Sequence, residues 1–126
     1  MDPHPFRAAV EAADMDAAVA LLADDVVFRS PAVFKPYEGC ETVATILRTV
    51  FGVFEDFRYT DELAGDDAHG LVFEARVGDR SLQGIDLLRH DADGRIAEFT
   101  VMIRPASGLM AVAERMGPAL ASAGIG

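Results

Sequence analysis

Two tight-turn signals divide residues 69–104 into three strand-forming segments, and this pattern constrains the fold more than any other feature of the chain. Gly78-Asp79 has the composition of a two-residue hairpin turn, and the sequence DADG at 91–94 has that of a second turn. The segments on either side of these turns predict antiparallel strands over 69–77, 80–90 and 95–104. Such strands form a β-meander, in which each strand pairs with the next.

The rest of the chain contains helical patterns and two shorter strands. We predict strands near 24–30 and 57–63, and helices over 5–13, 15–23, 41–54 and 108–116. Asp14 and Ser107 are the predicted N-caps of the second and the last helix. The helix over 41–54 has the clearest pattern, because its apolar residues recur at the i, i+3, i+4, i+7 spacing of an amphipathic helix.

Helices segregated from an antiparallel sheet indicate the α+β class. The length of 126 residues fits one domain, 1–126, with one core. Gly117-Pro118 is expected to end the last helix and to leave 118–126 as a flexible tail.

Charge and composition exclude several functional classes. The formal net charge of -10 repels phosphate backbones and anionic lipid surfaces, so we expect neither a nucleic-acid nor a membrane partner. The first residues lack the basic and then apolar pattern of an export signal, and the lone Cys40 has no disulfide partner in the chain. We therefore expect a cytoplasmic location. No spacing of His, Cys and acidic residues indicates a metal site, and no cofactor is expected.

One acid interrupts an apolar face of the predicted sheet. A two-residue turn at 78–79 places Asp86 opposite Leu71, and the next strand presents Ala97, Phe99, Val101 and Ile103 to the same side. Burial among hydrocarbon raises the pKa of a carboxyl by roughly 3 to 5. A cavity in which a neutral acid acts would explain Asp86. The alternative is a structural acid that accepts hydrogen bonds from a Tyr, a Thr or the backbone.

Other polar residues lie near this face in the predicted sheet. Glu98 has the opposite parity to Phe99 and is expected to be solvated, although a register slip of one residue would turn it into the pocket. Tyr59 and Asp61 share a face of the strand over 57–63, and either is a candidate partner for Asp86. His4, His69 and His90 are expected to lie at the surface.

The sequence EAADMDAAVALLADDVVFRSP at 11–31, followed by a long helix and by GIDLLRHDADGRIAEF at 84–99, resembles the nuclear transport factor 2-like superfamily. Similar members include the SnoaL-like polyketide cyclases, limonene epoxide hydrolase and ketosteroid isomerase. The resemblance implies a cystatin-like α+β barrel: a cone-shaped, curved antiparallel sheet wrapped on helices around an apolar pocket. It also implies a homodimer formed through the outer face of the sheet.

Residue matching assigns roles within this resemblance. Ketosteroid isomerase has a protonated acid in an I-D-x-x-R segment, and Asp86 falls on that position, where its neutral form would donate a hydrogen bond to a developing oxyanion. The base of that enzyme precedes a proline on the first strand, where this chain has Ser30. Its tyrosine lies on the first helix, where this chain has Phe6. Ser30 is thus expected only to orient a ligand.

The sequence therefore predicts a protein that binds a small hydrophobic molecule, either as a cofactor-independent isomerase or cyclase or as a non-catalytic carrier or sensor. A third hypothesis is an assembly module that acts through Val72, Ile85 and Leu87. We predict Asp86 and Ser30 as the catalytic residues. The residues predicted to contact the ligand are Phe28, Phe51, Tyr59, Phe73, Gly84, Phe99, Val101 and Met110.

Overall fold

The computed structural model describes residues 2–125, which form four helices and one six-stranded sheet. The elements in chain order are α1 (Pro5–Glu11), α2 (Met15–Val19), β1 (Leu22–Arg29), β2 (Tyr37–Glu38), α3 (Cys40–Val53), β3 (Glu55–Ala64), β4 (Ala68–Val77), β5 (Arg80–His90), β6 (Ile96–Arg104) and α4 (Ala106–Ser122). The strand order is β2-β1-β6-β5-β4-β3 in a curved sheet that does not close. The predicted α+β class is confirmed. In the described part of the chain, no helix is long and apolar enough to cross a membrane.

The meander has the predicted hairpin register. Leu71 pairs with Asp86, and Phe73 pairs with Gly84. Gly78 has φ 61°, as the tight turn between β4 and β5 requires. On the other side of β5, Asp86 pairs with Val101, so that apolar residues flank the acid on both neighbouring strands.

A register shift near the end of β5 corrects the predicted orientation of Ala97, which was expected to share the apolar face of Phe99. The irregularity lies between Arg89 and His90, and beyond it Ile96 is buried while Ala97 is only partly so. Glu98 lies on the solvent side and forms an ion pair with Arg29 at 2.7 Å. The slipped register that would turn Glu98 into the pocket is therefore wrong.

The first strand joins the meander by a parallel pairing. β1 lies beside β6, with Phe28 opposite Phe99, and places Val26 and Phe28 in the core. Helix α3 packs its apolar stripe against the concave side of the sheet, where Val43 and Ile46 are buried. The N-cap prediction for Asp14 is confirmed, because its Oδ1 accepts the Ala17 N–H at 3.0 Å.

Helix α4 differs from the prediction at both ends. It begins at Ala106 after Pro105, and the predicted cap Ser107 lies inside the first turn. It continues through Pro118 to Ser122, so the predicted end near Gly117 is wrong. Proline within a helix costs about 3 kcal/mol, but here Leu120 and Ile125 beyond it pack against the core. The predicted tail 118–126 thus begins in a helix, and its last residue, Gly126, lies outside the described residues.

Candidate functional site

A cavity of about 330 Å³ lies between the concave face of the sheet and helices α3 and α4. Its walls are almost entirely apolar. Helices contribute Val50 and Phe51 from α3, and Val112 and Met116 from α4. Among the residues predicted to contact a ligand, the structure places at the wall Phe28, Phe51, Phe73, Phe99 and Val101.

Asp86 is the one carboxyl among the lining residues in the described part of the chain. It lies in the middle of β5 and is 4% exposed. Burial raises the pKa of the Asp86 carboxyl from 3.8 to about 8, because the ionised form loses its hydration without gaining a cation. At neutral pH the side chain is therefore a neutral acid with one O–H to donate.

Tyr59 is a buried polar group that interacts with Asp86. Its hydroxyl is buried and has no hydrogen-bond partner among residues 2–125. Burial, and then the neighbouring Asp86, raise the pKa of the phenol, while the phenol acts to lower the pKa of Asp86 against the larger effect of burial. The two groups are close enough to interact, yet no hydrogen bond of normal geometry joins them. Tyr59 packs edge-on against Phe57 behind the cavity wall, at a ring distance of 4.9 Å.

Asp61, the other candidate partner of Asp86, faces away from the cavity. A register shift between Tyr59 and Asp61 reverses the alternation of β3, and the Asp61 side chain lies in solvent. Its carboxylate accepts a hydrogen bond from the Thr60 hydroxyl. Of the two candidates, the structure thus brings only Tyr59 to the acid.

Ser30 lies at the mouth of the cavity, just after β1. Its Oγ accepts the Ala32 N–H at 3.0 Å, so the hydroxyl supports the turn that leads into the loop over 31–36. Its described hydrogen bond involves no acid or imidazole that would activate it as a base. Its predicted role in orienting a ligand stays a prediction.

Besides Tyr59, two more of the predicted contact residues lie outside the cavity wall. Gly84 lies behind Phe73, where a Cβ would come within 2.3 Å of Phe73 Cζ; the glycine leaves room for that ring. Met110 is 57% exposed on the outer side of α4, because its helical position points away from the positions of Leu109, Val112 and Ala113 that do face the cavity.

The three histidines form a cluster, contrary to the expectation of separate surface residues. His4 Nε2 lies 2.8 Å from His90 Nε2, and the ring of His4 lies 4.8 Å from that of His69. His69 in turn contacts Glu62 at 2.6 Å. The expectation was wrong because the segment before α1 folds back over β3, β4 and β5, a contact between residues 86 positions apart. Among residues 2–125, no group of three or more His, Cys, Asp or Glu side chains is arranged to hold a metal ion.

The fold is shared with known proteins. Residues 5–99 match the family model of the SnoaL-like domain. A structure of a steroid delta-isomerase from Pseudomonas aeruginosa is 48% identical and covers 94% of this chain and 88% of its own, with a TM-score of 0.88. An uncharacterised protein with a cystatin-like fold from Silicibacter pomeroyi is 30% identical, covering 94% and 84% of the two chains, with a TM-score of 0.88.

A third structure shows likeness of fold alone. A putative ketosteroid isomerase from Kribbella flavida is 20% identical, covering 81% of this chain and 74% of its own, with a TM-score of 0.67. Among proteins with curated descriptions, none matches the chain.

Proposed function

Because the chain belongs to the SnoaL-like domain family, we propose that its cavity binds a small apolar molecule with one hydrogen-bond-accepting oxygen, such as a ketone. The observation that carries this proposal is Asp86, a buried acid at the wall of an otherwise apolar cavity. Sites for small molecules have this composition: a hydrophobic lining with few polar groups that fix the orientation of the ligand.

The neutral acid suits a particular chemical task. An Asp86 O–H donates a hydrogen bond to a ligand oxygen, and that bond strengthens as negative charge develops on the oxygen. A low-dielectric wall increases the effect, because no water competes for the donor. We therefore propose the class of cofactor-independent isomerase or cyclase, with Asp86 as acid or hydrogen-bond donor. The steroid delta-isomerase at 48% identity supports the isomerase class and a largely apolar ligand such as a steroid.

A non-catalytic carrier or sensor is the second candidate. Proton abstraction from carbon needs a base, and among the lining residues in the described part of the chain there is no second carboxyl and no histidine. Ser30 stands close to the cavity mouth, with its Oγ accepting a backbone N–H. A single polar anchor in an apolar cavity is sufficient for binding.

A panel of enones, epoxides and polyketide-like ketones separates the two candidates. Binding is measured by calorimetry, and turnover by chromatography, for wild type, Asp86→Asn and Glu98→Gln. Glu98 is the matched control, because it is an acid on the adjacent strand that faces solvent. Turnover that Asp86→Asn loses and Glu98→Gln retains supports an enzyme. Binding without turnover supports a carrier, and no binding of any apolar oxygen compound contradicts the proposal.

We also propose that two copies associate through the outer face of the sheet. This face carries partly exposed apolar residues on neighbouring strands: Val72, Ile85, Leu87 and Met102. Ile85→Glu adds a charge at its centre and should convert dimers into monomers in analytical ultracentrifugation. Ligand binding should persist, because Ile85 lies on the opposite face from Asp86. A wild-type protein that is monomeric at micromolar concentration would contradict this.

A further inference from the structure

The histidine cluster attaches the N-terminal segment to the sheet through hydrogen bonds that require one protonation state. His4 is the N-cap of α1: its Nδ1 accepts the Phe6 N–H at 3.0 Å. Its other ring nitrogen, Nε2, lies 2.8 Å from His90 Nε2 on β5. Its backbone N–H donates to Glu62 Oε2 on β3 at 2.9 Å.

These contacts fix the tautomer of His4. Since Nδ1 accepts a hydrogen bond, it carries no proton, and the neutral ring must carry its proton on Nε2. The Nε2–H then donates to His90 Nε2, so that nitrogen of His90 is unprotonated as well. A proton added to His4 Nδ1 would point at the Phe6 N–H, and the cap would be lost.

The charges around His4 give the added proton little compensation. His69 on β4 and His90 on β5 both contact it, and a charge on either repels a charge on His4. Within the described chain, the acid that faces it is Glu62 on β3, which already accepts hydrogen bonds from His69 and from Arg7 on α1. Arg7 offsets the negative charge of Glu62.

We propose that His4 is a proton-operated latch for residues 2–11. Protonation of its ring at Nδ1 removes the acceptor of the helix cap and places a charge beside the rings of His69 and His90. The Nε2–H bond to His90 persists, but the attachment of the segment to β3, β4 and β5 weakens and its release becomes more frequent. Release also affects the cavity, because Phe6 packs against two residues of its wall. The ring centroid of Phe6 lies 5.2 Å from that of Phe99 and 6.5 Å from that of Phe51, and both of those rings line the cavity.

The direction of the pH dependence follows from the two states of His4. Burial, with His69 and His90, lowers the pKa of folded His4 from 6.5 to about 4. In the released segment the ring recovers its ordinary pKa. Protons therefore bind the released state preferentially, and attachment weakens as pH falls from 6.5 towards 4. Asp86 titrates near pH 8, outside this range.

Hydrogen exchange of the amides in α1 tests the latch, with exchange corrected for the intrinsic pH dependence. Protection of residues 6–11 relative to the β4–β5 hairpin should fall on the order of tenfold between pH 7 and pH 5. His4→Asn is the matched variant, because an Asn oxygen also accepts at an N-cap but does not titrate. In this variant the relative protection should not change with pH.

A second measurement uses wild type alone. The ¹⁵N shifts of the His4 ring should report the Nε2–H tautomer at pH 7, with no titration above pH 5. A His4 ring that titrates near 6.5, or an α1 whose relative protection is the same at pH 5 and pH 7, would overturn the proposal. The same loss of protection in folded His4→Asn would also overturn it.

Discussion

Asp86→Asn should stabilise the folded chain by an amount that depends strongly on pH. Asparagine has the shape of the acid but never ionises, so the comparison isolates the cost of ionising Asp86. Moving the pKa from 3.8 to about 8 makes the ionised acid about 6 kcal/mol less favourable in the folded chain than in the unfolded chain. Because the side chain is buried, bulk solvent does not screen this cost.

The sign follows from which state holds the proton. Below pH 3.8 the acid is neutral in both states, and ionisation contributes nothing. Between 3.8 and about 8 the folded chain keeps a proton that the unfolded chain loses, so the free energy of unfolding decreases as pH rises. From pH 5 to pH 8.5, the stability of Asp86→Asn relative to wild type should increase by about 4 kcal/mol.

Urea unfolding of both proteins at pH 5, 6, 7 and 8.5 measures this difference. Any fixed effect of the amide, such as an unmet hydrogen bond, shifts all four values equally and does not change the trend. Glu98→Gln replaces an acid on the solvent side of β6. Its free energy of unfolding relative to wild type should stay constant within about 0.5 kcal/mol over the four pH values. A difference between Asp86→Asn and wild type that is constant to within 1 kcal/mol over this range would refute a desolvated Asp86.

Two further substitutions test the surroundings of the acid. Gly84→Ala places a Cβ 2.3 Å from Phe73 Cζ, so urea unfolding should show that the free energy of unfolding falls by about 2 kcal/mol or more. The control Gly94→Ala has open space around it but a positive φ, and its free energy of unfolding should fall by only about 1 kcal/mol. Equal losses would contradict the packing role of Gly84. Tyr59→Phe removes a buried hydroxyl that has no hydrogen-bond partner among the described residues, so the free energy of unfolding at pH 5 should not fall. The pKa of Asp86, measured by carboxyl NMR, should rise, because the phenol acts to lower it. A fall in the free energy of unfolding of more than about 1 kcal/mol would show that the hydroxyl has a partner.

The sequence was sufficient to predict that Asp86 lies on an apolar face of the sheet, because this position depends on local information. A two-residue turn at Gly78-Asp79 fixes the pairing of β4 with β5, and strand alternation then fixes the face of every side chain. The amphipathic pattern of α3 was equally local. β4, β5 and α3, whose structure depends on neighbours in sequence, were thus predicted correctly, whereas α2 ends at Val19 and not near residue 23, because β1 begins at Leu22.

Features that depend on distant contacts were not predictable in this way. The parallel pairing of β1 with β6 joins segments about 70 residues apart, and no local pattern specifies it. The contact of His4 with His90 could not be predicted without knowing the path of the N-terminal segment across the sheet. Pro118 was predicted to end α4 from its local preference, but the packing of Leu120 and Ile125 outweighs that preference.

The most direct test is the titration of the Asp86 carboxyl by ¹³C NMR in the unliganded protein, with Asp86→Asn to assign the resonance. A midpoint near pH 8 is predicted, since the buried acid has no cation to stabilise its ionised form. A midpoint near the ordinary value of about 4 would mean that water reaches the carboxylate, and would contradict a neutral hydrogen-bond donor in this cavity.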